Sequence, residues 1–205
     1  MSEPAIHEYA QVMRELKRRI EFINYLLSGN GYTLYPETTI ESVYLQLRKI
    51  LELIAMASLV PNQKEYGRVH KDFGIHWNAK LLLKNLEKIN PNNYPNPIKE
   101  IPSKTPDIKA HFEDLKEGFL TKNDFIHVYK KCSKVLHADN PFGRSSDYKY
   151  YQSVLPEWLS KIMVLLNTHT IKLVGQDVIW LIHMKESDDD DVHYYVFTRN
   201  QKSRS

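Results

Sequence analysis

The stretch Thr38–Val60, TTIESVYLQLRKILELIAMASLV, limits what the rest of the chain can become. Ile40, Val43, Tyr44, Leu47, Ile50, Leu51 and Ile54 recur three or four residues apart, one stripe on a helical period. Past Leu51 the stripe widens, and Leu53, Ile54, Ala55, Met56, Ala57 and Leu59 leave almost no polar side. A helix apolar all round must be enclosed by other elements. Thr38 followed by Glu41 has the capping-box spacing, which satisfies two orphan backbone N–H groups and predicts the helix start. The segment reads as the central post of a helical bundle, with Leu47, Ile50, Leu51 and Ile54 almost fully buried.

Other helices flank it. From Pro4 to Leu27, Ile6, Tyr9, Met13, Leu16, Ile20, Ile23 and Leu27 form a seam suited to packing along a second long helix. Ser2 is its expected N-cap, and Gly29-Asn30-Gly31 its stop. Lys17-Arg18-Arg19 falls opposite the seam and reads as a solvated face. Asn62 and Glu65 repeat the capping spacing and open a helical region through Ile89, interrupted at Gly74. The prolines Pro91, Pro95, Pro97, Pro102 and Pro106 predict an extended surface crossing over Asn90–Pro106. Asp107–Glu117, with Phe112 and Leu115, reads as a short, weakly amphipathic helix.

Thr121 and Asp124 start another helix, whose buried face is Phe125, Val128, Tyr129, Cys132, Val135 and Leu136. It runs into HADNPFG (His137–Gly143), where Asn140-Pro141 and Gly143 force a turn. The last long helix carries Tyr151, Val154, Leu155, Trp158, Ile162, Leu165 and Leu166; Pro156 either kinks it or marks its first turn. From Thr170 the period changes. IKLV, VIWLIHMK and VHYYVFTR are rich in β-branched and aromatic residues and predict an antiparallel three-stranded meander. The expected fold is mostly α, one domain: a helical bundle over 1–168, a β-meander appendage over 169–199 and a tail over 200–205.

A net charge of +3 is too small by itself to argue for nucleic acid. The lone cysteine, Cys132, rules out an intrachain disulfide and fits a reducing compartment. The start MSEPAIHEYA lacks the basic-then-apolar pattern of a signal peptide, and no apolar run approaches the ~18 residues of a membrane span. The cytoplasm is the expected location.

Chemistry has few places to sit. There is no glycine-rich phosphate loop, no G-x-S-x-G elbow and no H-E-x-x-H pair. His70 and His76 are six residues apart, which is not the helical metal-pair spacing, so no metal and no cofactor are expected. The Asp188–Asp191 run suits a solvated hairpin turn better than a cation site. Cys132 falls on an apolar stripe and reads as an inert buried thiol. What remains is YKKCSKVLHADNPFGR, Tyr129 to Arg144. Here a helix ends in His137, with Lys130 two turns earlier on the same stripe, Lys134 between them, and Asp139, Asn140 and Arg144 just beyond. Imidazole for proton transfer beside cations that stabilise a phosphorane suits metal-free phosphodiester cleavage. The competing reading has His137 bonding the last helix carbonyls and Asn140 holding the turn.

A helical bundle in which a late helix ends in Leu136-His137 and then turns resembles the HEPN superfamily, which includes many RNA-cleaving toxins and defence proteins. The resemblance covers about Pro4–Leu166 and leaves out the β-meander. The family's catalytic pattern resembles an arginine, then four to six residues, then a histidine. His137 matches the histidine, while Lys130, Lys131 and Cys132 occupy the arginine positions. Lysine keeps the charge without the planar guanidinium fork, and Arg48 or Arg144 is the expected substitute. The resemblance implies an RNA-associated stress or defence role, either metal-independent cleavage or binding alone. The site would be His137, Lys130, Lys134, Asn140 and Arg144, near the two-fold axis of a homodimer. The alternative is a catalytically silent dimeric scaffold that binds a protein partner.

Overall fold

A computed structural model describes residues 3–70, 78–105, 108, 110–143, 145–186 and 189–198. Helix α1 spans Glu3–Leu27 and α2 spans Pro36–Leu59; a single tight turn at Val60–Asn62 leads to α3, Gln63–Val69. Helix α4 is Ala79–Ile89, α5 is Lys122–Val135 and α6 is Tyr148–Asn167. Strands β1 (Asn96–Pro102) and β2 (Ala110–Asp114) precede α5; β3 (Thr168–Lys172), β4 (Val178–His183) and β5 (His193–Thr198) follow α6. The expected N-cap Ser2 and the expected interruption at Gly74, with His76, lie outside the described residues.

Helix α2 is the centre. Leu47, Ile50, Leu51 and Ile54 are wholly buried, with α1, α4, α5 and α6 packed around them. Its start differs from the capping-box expectation. The helix begins at Pro36 after an extended Tyr35, with no side-chain cap. Proline suits the first helical position because its missing N–H would be unpaired there anyway. The Thr38 hydroxyl instead donates back to the Tyr35 carbonyl at 2.9 Å. Asn62 is likewise no cap: its amide donates to the Ser58 carbonyl at 2.8 Å and its oxygen accepts from Asn90 at 3.0 Å. Pro156 sits inside α6, since that helix starts at Tyr148 with Asp147 as cap.

The sheet has five antiparallel strands rather than three, in the order β2-β1-β3-β4-β5. The proline-rich crossing contains β1, and the expected short helix around Phe112 is instead β2. Both prolines of β1 stand at ladder ends, where a missing N–H costs least: Pro97 at the end of the β3 pairing, opposite His169, and Pro102 at the end of the β2 pairing, opposite Ala110. Pairing with β1 overrode the weak local helical pattern of Asp107–Glu117, and β1 is in turn paired with the distant β3.

The sheet is strongly curled. A flat five-stranded sheet at ~4.8 Å spacing would hold its edges about 19 Å apart. Here the rings of Phe112 on β2 and Phe197 on β5 lie 6.3 Å apart, and Glu100 on β1 reaches His183 on β4 at 3.2 Å. One face of the sheet closes the bundle. Ile171, Trp180 and Ile182 join the main core there, and His169 is fully buried. Its Nδ1 lies 2.8 Å from the Leu166 carbonyl and its Nε2 lies 2.7 Å from the Tyr9 hydroxyl. A carbonyl only accepts, so Nδ1 carries the proton and Nε2 accepts from Tyr9.

The β4–β5 connection is tied down rather than merely solvated. Arg14 of α1 grips Asp191 with two bonds of 2.7 and 2.9 Å, and Lys17 pairs with Asp190 at 2.7 Å. The basic run of α1 is therefore only partly a solvated face: Arg19 also pairs with Glu15, while Arg18 stays exposed. Among the described residues no helix is long and apolar enough to cross a membrane.

Candidate functional site

Helix α5 starts as its sequence demands. The Thr121 hydroxyl accepts from the Asp124 N–H at 3.1 Å, and the Asp124 carboxylate accepts from the Thr121 N–H at 3.1 Å. Phe125, Val128, Tyr129, Cys132 and Val135 then fall on one face and are buried. At 100° per residue that face leaves His127, Lys130, Lys131 and Lys134 on the opposite side. Lys130 and Lys134 are exposed and enter no salt bridge among the described residues. The Lys131 ammonium lies 5.0 Å over the Tyr150 ring. Burial pushes the Cys132 thiol up to about 12, so it stays protonated.

The helix stops at Val135 with Leu136 as its cap, so His137 lies past the end, in an exposed bend. Helical spacing therefore relates Lys130 to Lys134 but does not extend to His137. The capping role for His137 is also absent, because it forms no hydrogen bond with a described residue. Asn140 does hold the turn. Its side-chain oxygen accepts from the Phe142 N–H at 3.0 Å, and its carbonyl accepts from the Gly143 N–H at 2.8 Å. Asp139 ties the loop shut by accepting from the Ser146 N–H at 2.8 Å and hydroxyl at 2.6 Å, bonds that hold its carboxyl below the usual range. Arg144 lies outside the described residues.

Arg48, the other expected substitute for the missing arginine, is committed elsewhere. It donates to Glu52 at 3.0 Å, to the Ser133 hydroxyl at 2.7 Å and to the Tyr129 hydroxyl at 3.1 Å, with its guanidinium 4.8 Å over the Tyr129 ring. This network clamps α2 to α5 one turn before His137. It brings a guanidinium to the level of the helix end with three of its five N–H donors used on protein.

The structure thus groups Lys130 and Lys134 on the open side of α5, with His137 and the Asn140 turn following. Phe142 was missed by sequence reading although it is 96% exposed at the tip of that turn. Its signal was available in N-P-F-G, a large apolar residue inside a tight turn. Among the described residues no three His, Cys, Asp or Glu side chains cluster as metal ligands; His70 stacks on Tyr66 with ring centres 4.5 Å apart. Comparison of the chain with protein-family models, with curated proteins and with solved structures finds no match.

Proposed function

We propose that this chain is a HEPN-like, RNA-associated protein that binds RNA phosphates along the outward face of α5. The observation that carries the reading is the exposed pair Lys130 and Lys134 on the outward face of one helix, in no salt bridge among the described residues, flanked by His127 edge-on to Trp158 and by Lys131 over Tyr150. Cations outside salt bridges can exchange counterions for phosphates, which makes binding steeply salt-dependent. Binding without cleavage is the better-supported branch. Cleavage needs groups aimed at the reacting phosphate, yet the Asn140 side-chain oxygen holds its turn and Arg48 is held by Glu52, Ser133 and Tyr129.

Fluorescence anisotropy with a labelled RNA across a salt series tests this. The affinity should fall steeply with salt, and Lys130→Glu with Lys134→Glu should weaken it and flatten the slope. Wild-type binding that ignores both salt and these charges overturns the reading. Incubation of RNA in excess EDTA tests the cleaving branch. Cutting that drops by about 10²–10⁴ in His137→Ala would assign a metal-independent ribonuclease instead.

A silent scaffold is the second reading, favoured by Tyr32, Leu34 and Tyr35, which are 85%, 83% and 60% exposed in the α1–α2 connection. Exposed apolar clusters mark protein interfaces. A homodimer through this end would show twice the chain mass in light scattering and little salt sensitivity.

A further inference from the structure

We propose that Phe142 is a base-stacking residue and that the RNA held by α5 is single-stranded where it passes the Asn140 turn. The proposal rests on the RNA-binding reading above and adds a specificity-determining residue to it.

Phe142 is 96% exposed, yet its backbone is fixed. Asn140 accepts its N–H at 3.0 Å, Gly143 closes back on the Asn140 carbonyl at 2.8 Å, and Asp139 holds Ser146 from the other side of the loop. The ring is presented on a hydrogen-bonded turn, so placing it against a ligand orders less new backbone than an unbonded loop would. Its chain neighbours Asn140, Pro141 and Gly143 are exposed, as are His137, Ala138 and Asp139 earlier in the loop. Phe142 thus stands exposed beside Pro141 in the turn that follows α5, the helix that carries the exposed Lys130 and Lys134. A second partly exposed ring follows the same loop, packed edge-on against Tyr151 with ring centres 5.4 Å apart. Tyr150, in the first turn of α6, is 38% exposed with the Lys131 ammonium over it. The local carboxylates are occupied, Asp139 by Ser146 and Asp147 by the Tyr150 N–H it caps.

Exposed aromatic rings following a lysine-bearing helix are what single-stranded nucleic acid uses: cations track the backbone and an exposed ring takes a base. A duplex keeps its bases stacked inside and offers such a ring no π-face. A protein partner would instead call for contiguous apolar surface around the ring.

The experiment compares a labelled mixed-sequence single-stranded RNA with its duplex, by anisotropy at fixed salt. Wild type should bind the single strand more tightly. Phe142→Ala should weaken single-strand binding roughly 5- to 100-fold and leave duplex binding and the melting temperature unchanged, while Phe142→Trp keeps the affinity. Lys130→Glu with Lys134→Glu should weaken both RNAs. If those charge changes act and Phe142→Ala does not, the stacking role is wrong while RNA binding stands. If wild type binds neither RNA, the parent reading falls and this one with it. A change of mass in light scattering on Phe142→Ala, with RNA affinity intact, would place the ring in a protein contact and overturn the proposal.

Discussion

His169 and His137 are the same side chain in opposite surroundings. His169 is sealed where α1, α6 and β3 meet, with each ring nitrogen bonded to a protein group. His137 stands in an exposed bend past α5, bonded to no described residue. The first has exchanged water for two protein partners and is held neutral, its pKa pushed down to about 4 by burial. The second keeps its water and stays open to a ligand. Residue type alone does not tell the two apart; the surroundings separate glue from site.

The widest contrast between buried and exposed regions is in stability. Leu51 and Ile50 are wholly enclosed, so Leu51→Ala or Ile50→Ala should each cost about 2–5 kcal/mol through lost transfer energy and a residual cavity. His137→Ala, made at an exposed bend, should stay within about 0.5 kcal/mol. Urea melts of the three variants check this. A Leu51→Ala protein as stable as wild type would break the contrast at its root.

The helical half was legible because its signals are local. The stripe in α2, the seam in α1 and the Thr121–Asp124 box each act within a few residues, and each corresponds to an observed element. The strands after α6 were legible too, from the β-branched and aromatic run. Strands β1 and β2 were not. Prolines suppress the local strand signal, and what makes Asn96–Pro102 a strand is pairing with β2 and β3, the latter more than sixty residues away in sequence. At the candidate site, His137, the lysines and the turn could be read, but the helix end could not: α5 stops before His137, which detaches the histidine from the stripe. Nor does the sequence reveal that Arg48 is spent on Glu52, Ser133 and Tyr129, because that depends on how α2 packs against α5.

The two histidines can be set further apart with pH. In the unfolded chain His169 titrates near its ordinary 6.5, and in the folded chain near 4. Above pH 6.5 both states are neutral and the buried contacts contribute fully. Between 6.5 and 4 the unfolded state takes up a proton that the folded state refuses, so stability falls as pH falls. At about 1.4 kcal/mol per pH unit the loss is of order 3 kcal/mol by pH 4. His169→Gln removes this titration. It should be less stable than wild type at pH 7, with the gap narrowing as pH drops through that window. A gap constant from pH 7 to 4 would mean that His169 does not enter the core neutral.

The smallest expected effect belongs to the pair that fastens the β4–β5 connection to α1. Arg14 grips Asp191 through both oxygens, a favourable geometry, but the two side chains are 37% and 49% exposed, and solvent screens such a pair heavily. The guanidinium holds the Asp191 carboxyl well below the usual carboxylate range. A depressed carboxylate contributes its stability above the unfolded value near 3.8 and loses it as pH falls further. That window lies below the one belonging to His169, so acid should weaken the buried histidine contact first and the surface pair second. Salt separates them again. At 1 M the Debye length shrinks to about 3 Å, which should erase the coupling between Arg14→Ala and Asp191→Ala in a double-mutant cycle while leaving the His169 pH slope in place. Coupling that survives molar salt would show that the pair is shielded from solvent, and that the edge of the sheet is fastened as firmly as its centre.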